Sequence, residues 1–451
     1  MKLFQQMLVV GASLGVLIPI SAQASNIVDL EEMSSYSRSK KKSSKLDSKI
    51  FINDFNEDTA NLKKSSRLDS KTFINEVSED TQGLKGLIDG LEVKQNEFEA
   101  GSFSSTTTLD QKAVFWAGAI DGGNELSATG SENVQTGYTY TMNLNTSFTG
   151  DDNLYVRLKA GENGTQWKNK VTYHIETKDT SDRFSLDKVW YTLPIGDRFT
   201  AYAGGKIENY YMYITPSIYK PGALKSFKLG GNSNFGASTD IGYGFKYELD
   251  NGFGFASNIV DKGADESEGI FAPGSAIKWD SQIAYTTDRW HVSAFMSKAR
   301  NWTSHSYNAT ELGAQSARDS LGYALRAYWM PEEYGTNIPE VSLGFDTKHY
   351  SGRTVAGQTT RADSYMIGLT WKDIFQADDR IGFAFTQPLV ATEVLGGGDP
   401  GEVDPQIYEV YYSFRPNDSM EITPALFVGN DVYSDNDDDI VGLLVTSKFK
   451  F

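Results

Sequence analysis

From about residue 103 to the end of the chain, apolar side chains recur at every second position, and that period decides what the chain can fold into. Tyr365, Ile367, Leu369 and Trp371 alternate with Ser364, Met366, Gly368 and Thr370. Leu321, Tyr323, Leu325, Ala327 and Trp329 alternate with Gly322, Ala324, Arg326 and Tyr328. Leu154, Val156 and Leu158 alternate with Tyr155, Arg157 and Lys159. A period of two belongs to strands, whose successive side chains point to opposite faces. One face of each run is apolar and the other polar or small, so one side meets oil and the other meets water.

Marking such runs predicts sixteen strands, near 111–120, 134–147, 152–160, 184–194, 198–206, 238–250, 252–260, 279–287, 289–298, 320–330, 340–350, 361–373, 380–388, 406–415, 419–428 and 440–451. Their connections alternate short and long. Thr149–Asp151, Gly196-Asp197, Asn251-Gly252, Asp288 and Pro416–Asp418 are short, two turns on the same side, 331–339 and 374–379, are longer, and 121–133, 161–183, 207–237, 261–278, 299–319, 351–360, 389–405 and 429–439 are long. A soluble sandwich has no reason to place every long loop at one end; a barrel in an outer membrane has short periplasmic turns and long external loops. The last strand carries Val441, Leu443, Val445, Phe449 and Phe451 on one face. In lipid no strand edge can stay unpaired, so this strand should zip onto the first.

Composition agrees once the period is known. The formal net charge is −17 and only 39% of residues are hydrophobic, which on their own suggest a soluble acidic protein. A barrel shows lipid only every second residue, so a modest apolar fraction is what it needs. The net charge argues against a nucleic-acid-binding surface. No cysteine is present, which excludes disulfides, thiolate nucleophiles and cysteine metal sites. His174, His291, His305 and His349 are scattered, with no metal-ligand spacing and no placeable Ser-His-Asp set. The reading is therefore a non-enzyme without metal or cofactor.

The region before the strands is organised differently. Residues 1–24 read as a signal peptide: Lys2, an apolar stretch from Met7 to Ile20, then Ala22-Gln23-Ala24. Within 25–83, the segment Lys42–Lys63 recurs as Lys64–Lys85, with 15 of 22 positions identical. This polar repeat reads as a partly disordered periplasmic spacer, since two copies are too few for a solenoid. Residues 84–102 hold Leu84, Leu87, Leu91, Lys94 and Phe98 at 3-4-3-4 spacing, a short coiled-coil pattern. Residues 103–451 are the barrel.

Three stretches then resemble a known family. Leu84–Gly118 (LKGLIDGLEVKQNEFEAGSFSSTTTLDQKAVFWAG) resembles the coil-to-first-strand junction of cyanobacterial outer-membrane porins of the carbohydrate-selective (OprB-type) family. Tyr408–Ala425 (YEVYYSFRPNDSMEITPA) resembles that family's penultimate hairpin, and Ser185–Lys206 an earlier one. The resemblance implies a homotrimer in outer-membrane lipid. Such relatives usually carry a surface-layer-homology domain; here the duplicated repeat stands in its place, with its lysines available to touch anionic cell-wall polymer.

A sixteen-strand barrel leaves an aqueous channel. By alternation Arg157, Lys159, Lys188, Lys206, Arg326, Lys372 and Arg415 should line it, with Glu409 among them. The set is mostly cationic, which favours anions. In many porins the third external loop folds into the lumen and sets the constriction; 207–237 is the third long loop here, so the resemblance implies Lys220, Lys225, Lys228 and Tyr213 at the eyelet. Trp116, Trp190, Trp279, Trp290, Trp329 and Trp371 should form interfacial girdles. The function expected is passive diffusion of small hydrophilic solutes and inorganic ions. Alternatives are a carbohydrate-selective channel with Tyr155, Tyr328 and Tyr411 as stacking rings, a membrane-to-wall tether through 25–83, and a secreted soluble β-protein.

Overall fold

The structure, a computed structural model, describes residues 106–122, 133–162, 176, 178–231, 239–263, 269–302, 318–398, 400, 405–432 and 439–451. The expected signal peptide, the duplicated repeat and the heptad segment lie outside the described residues, as do most acidic positions of the long loops.

The described residues form sixteen strands: β1 (Thr107–Asp121), β2 (Gln135–Thr146), β3 (Asn153–Glu162), β4 (Ser185–Ile195), β5 (Phe199–Glu208), β6 (Thr239–Glu248), β7 (Phe253–Asp261), β8 (Ile277–Thr286), β9 (Trp290–Trp302), β10 (Arg318–Trp329), β11 (Glu340–Tyr350), β12 (Thr359–Lys372), β13 (Arg380–Val394), β14 (Gln406–Asn417), β15 (Met420–Asn430) and β16 (Ile440–Lys450). Each pairs antiparallel with its sequence neighbour, and β16 pairs with β1, closing the barrel. Gln111 and Phe451 exchange both backbone hydrogen bonds, at 2.8 and 3.1 Å, so the chain's end seals the seam. Closure leaves no edge strand among the described residues, the condition for sheet in a bilayer.

Alternation sets which face is which. On β10, Leu321, Tyr323, Leu325 and Trp329 are exposed on the outer face, while Gly322, Ala324, Arg326 and Tyr328 are buried inside. Trp279, Trp290 and Trp329 are exposed on the outside, as a lipid anchor requires. Trp116 and Trp190 are not girdle residues. Both are inward and buried, Trp116 in one apolar cluster with the loop residues Leu224 and Phe227, Trp190 against Tyr155.

The short turns are tied by carboxylates. Asp152, after β2, accepts the Phe148 and Thr149 N–H groups at 3.0 and 2.7 Å and the Tyr191 hydroxyl at 2.6 Å. Asp379, before β13, accepts the N–H groups of Ile374, Phe375 and Gln376 at 2.8 to 3.1 Å. These substitute for ladder bonds that a turn cannot make.

Candidate functional site

The connection from β5 to β6 does not stay outside. It contains two short 3-10 segments, Asn209–Met212 and Lys225–Gly230. Between and around them it runs along the inner wall and is fastened strand by strand. At β8, Asp280 accepts Asn209 Nδ2 at 3.0 Å and the Tyr213 hydroxyl. Next to it, Gln282 brackets Ile214, accepting its N–H at 2.8 Å and donating to its carbonyl at 2.9 Å. At β11, Ser342 Oγ accepts the Ile218 and Tyr219 N–H groups at 3.3 and 3.2 Å.

The farthest fastening is on β14. Glu409 accepts the N–H groups of Gly222, Ala223 and Leu224 at 2.9, 2.8 and 2.7 Å, and the Tyr219 hydroxyl at 3.1 Å. Three successive N–H groups aimed at one carboxylate make a small anion-holding nest. A side chain at Gly222 would run into the Tyr411 ring, so only glycine lets the backbone come this near. On the return, Arg326 of β10 donates Nε to the Leu229 carbonyl at 2.8 Å and Nη2 to Asp346 of β11 at 2.7 Å. A Cβ at Gly344 would collide with the Gly230 carbonyl. Tyr219, Leu224 and Phe227 complete the seat by packing against inward residues of β12 to β16 and Trp116 of β1.

The residues named for the lumen therefore divide. Glu409 and Arg326 face inward but are buried beneath the loop and hold it. Tyr213 is buried at 1% exposure and serves as an anchor on Asp280, so it is not an eyelet group. Lys206 is on the outside. The β5 register slips between Gly204 and Ile207, and Lys206 pairs with Val189, between the inward Lys188 and Trp190. The bulge reverses the parity on which its inward placement depended. Its Nζ donates to the Leu186 carbonyl at 3.2 Å.

The remaining cations stand in two groups. The first surrounds β3 to β5. Arg157 donates Nε to Asn143 at 2.9 Å. Lys188 pairs with Glu208 and lies 3.6 Å from Asp187, and Lys225 and Lys228 of the loop act electrostatically on that same pair. Lys228 also sits 4.5 Å over the Tyr210 ring. Lys220 is half-buried on the same loop, and Lys159 half-buried on β3. The second group lies where β13 to β16 approach the short turns. Here Glu421 is 2.9 Å from Arg380, 3.4 Å from Lys448 and 3.8 Å from Arg415. Lys448 and Lys112 in turn contact Glu176, at 3.2 and 3.0 Å. Lys372 is apart, paired with Glu340 at 2.7 Å.

Arg380, Glu421, Lys448 and Lys112 were recoverable from strand parity, since each has inward neighbours two residues away. Glu176 carries no such signal, being a loop residue brought to the wall by the fold. The three tyrosines considered as stacking rings are already engaged. Tyr155 lies 4.2 Å from Trp190, Tyr328 stacks on His291 at 4.9 Å, and Tyr411 underlies Tyr219 and Gly222.

Residues 66–451 match the family model described as carbohydrate-selective porin, OprB family. An uncharacterized protein of Nostoc sp. is 27% identical over 413 residues, covering 80% of this chain and 68% of its own. An uncharacterized protein of Synechocystis sp. is 24% identical over 400 residues, covering 80% and 72%. Among solved structures, an anion-selective porin from Comamonas acidovorans superposes with a TM-score of 0.51 at 10% identity, over 77% of this chain and 100% of that one. A loop-deletion mutant of OmpT, an outer membrane protein of Vibrio cholerae, gives 0.50 at 9% identity over 77% and 100%. At these identities the structural likeness speaks to the fold.

Proposed function

The chain belongs to the OprB family of carbohydrate-selective porins and is an outer-membrane porin, and from that premise we propose an anion-preferring, passive diffusion channel for small hydrophilic solutes. The observation that carries the preference is the charge around the inner loop. Arg157 and Lys188 on the wall and Lys225 and Lys228 on the loop surround Glu208, with Lys159 beside Arg157 and Asp187 as a second counter-charge. Cations in excess at a constriction favour anion entry by lowering the electrostatic barrier. Lys220, Lys225 and Lys228 line the eyelet in this reading, and Arg415 and Lys448 extend the positive lining towards the short-turn end.

Sugars, the solutes of the family's name, pass in this reading by hydrogen bonding to the polar eyelet. Tyr155, Tyr328 and Tyr411 support no stacking slide, because each already packs against another ring or the loop. The chain is exported by its first 24 residues, spaced from the barrel by the duplicated repeat, and assembles as a homotrimer that the heptad segment 84–102 helps to pair.

Planar-bilayer measurement of the refolded chain across a potassium chloride gradient tests the proposal. The reversal potential should report chloride preference, and Lys220, Lys225 and Lys228 all changed to Glu should move it towards potassium. A cation-preferring parent, or a reversal potential unmoved by the triple change, would defeat the reading. Liposome swelling with neutral sugars tests carbohydrate passage separately, and cross-linking in detergent the trimer.

A further inference from the structure

Glu176 belongs to the connection between β3 and β4, on the long-loop side, yet its carboxylate lies inside the barrel. Its Oε2 is 3.0 Å from Lys112 Nζ on β1 and its Oε1 is 3.2 Å from Lys448 Nζ on β16. Its carbonyl accepts the Thr139 hydroxyl of β2 at 2.6 Å. Side-chain exposure is 10% for Glu176 and 7% for Lys112. Each carboxylate oxygen thus has its own lysine, the two-point arrangement with which proteins recognise an oxyanion.

We propose that Lys112 and Lys448 form an anion subsite in the lumen, occupied at rest by the chain's own Glu176 carboxylate, which a permeating small oxyanion displaces. The proposal rests on the porin reading and names a subsite within that pore. The ligand class is a carboxylate or phosphate, whose O–X–O edge can span the two nitrogens as the Glu176 carboxylate does.

Three features support it. The lysines are carried on paired strands of a closed sheet, whereas the carboxylate is carried on a connection, so rotation of one side chain empties the site without moving the wall. Two lysines contact Glu176 and a third acts on it, three cations on one carboxylate. Lys159 acts on the same carboxylate from β3, and Lys448 also contacts Glu421 at 3.4 Å. The site therefore still draws an anion while it is filled. Finally, Glu176 is ionised there. Burial pushes its carboxyl up, but Lys112, Lys448 and Lys159 outweigh burial and hold it well below the usual carboxylate range. A charged internal occupant is a competitor for a charged permeant, and competition raises the apparent dissociation constant by the inverse of the fraction of sites it leaves free.

The test is block of chloride current by inorganic phosphate in planar bilayers, comparing the parent chain with Glu176→Gln. The neutral amide cannot compete as an anion, so half-block should occur at about tenfold lower phosphate, the effect of an occupant that fills roughly nine sites in ten. Adding Lys112→Gln to that variant should abolish the gain. Glu176→Asp keeps the charge but withdraws it by one methylene, and should fall between parent and Glu176→Gln. It also serves as the comparison if the amide variant does not insert. Equal phosphate sensitivity in the parent and both variants would overturn the subsite, and so would a gain that survives removal of Lys112. A parent chain that conducts no ions defeats the porin reading instead, so the two failures are distinguishable.

Discussion

The wall beneath the inner loop and the wall beside the short turns carry the same kinds of side chain on the same alternating strands, and use them oppositely. Beneath the loop, charges are dry and matched. The side chains of Arg326 and Asp346 are 0% and 1% exposed and pair at 2.7 Å, Asp280 holds Lys278 and two loop residues, and Glu409 is filled by four donors. Beside the short turns, Glu421 has three cationic neighbours, and the exposure of Lys448 and Arg415 is 21% and 32%. An unmatched charge out of water costs several kcal/mol, so a covered wall must pair its charges closely. A wetted wall is free of that constraint and can hold an excess of one sign. Covering by the loop, rather than residue type, separates structural charge from charge that a permeant meets.

Breaking the covered side should cost most. Arg326→Met leaves Asp346 buried without its guanidinium and frees the Leu229 carbonyl. The expected loss is about 3–5 kcal/mol, the usual result of removing one partner of a buried pair. Guanidinium unfolding of the refolded barrel would measure it. The paired change Arg326→Met with Asp346→Leu should recover most of that loss, because well-packed apolar replacements for a buried ion pair are often neutral. If the double variant is as unstable as the single, the pair acts by some route other than charge matching.

Next in size is Glu409→Gln. One oxygen becomes an amide donor facing backbone N–H groups, so the nest loses its charge and part of its acceptor capacity. A loss of about 1.5–3 kcal/mol is expected, the range for hydrogen bonds to a charged group. Because the lost bonds hold the loop and not the sheet, the readout should be larger open-channel noise with an intact barrel. A quiet channel of unchanged conductance would show that the loop is held by Leu224 and Phe227 alone.

This contrast also marks what can be read from the amino acids. The period of two locates the strands closely. The run 340–350 is Glu340–Tyr350 in the fold, and the last strand does zip onto the first. The expected end of β13 at 388 falls short, at a proline that an interior strand would not tolerate. The strand runs on to Val394 because its ladder with β14 has already finished at Thr386, so the missing N–H breaks nothing there. Lys206 is misplaced by a bulge, which no alternating pattern announces. Whether an inward charge meets water or lies beneath a loop depends on contacts of high sequence separation, such as Gly222 with Glu409, and period carries no information about those. For the same reason Trp116 and Trp190, credible girdle residues by sequence, prove to be interior packing.

The turns give a smaller effect, with a sign set by pH. The Tyr191 hydroxyl and the turn's own donors stabilise the ionised Asp152 carboxylate, holding its carboxyl below the ordinary value. A depressed folded-state pKa contributes stability above the unfolded value of about 3.9 and loses it as pH falls through the folded one. Asp152→Asn should therefore be less stable than the parent at pH 7, and the gap should close on acidification below about pH 4. Thermal unfolding at several pH values checks this. A gap that is constant with pH would mean that geometry, and not ionisation, secures the turn.

Smallest in stability, and sharpest as a test of the comparison, is Arg415→Gln. Glu421 keeps Arg380 at 2.9 Å and Lys448 at 3.4 Å, so no carboxylate is orphaned, and unfolding should shift by no more than about 0.5 kcal/mol. The side chain is 32% exposed, so one positive charge is removed where an ion passes. The reversal potential should therefore move towards potassium although the barrel is no less stable. Arg326→Met should do the reverse, weakening the barrel while leaving the selectivity of the surviving channels near the parent's. Should both variants move stability and selectivity together, the division between covered and wetted charge would fail. The lumen would then have to be treated as one coupled electrostatic lining.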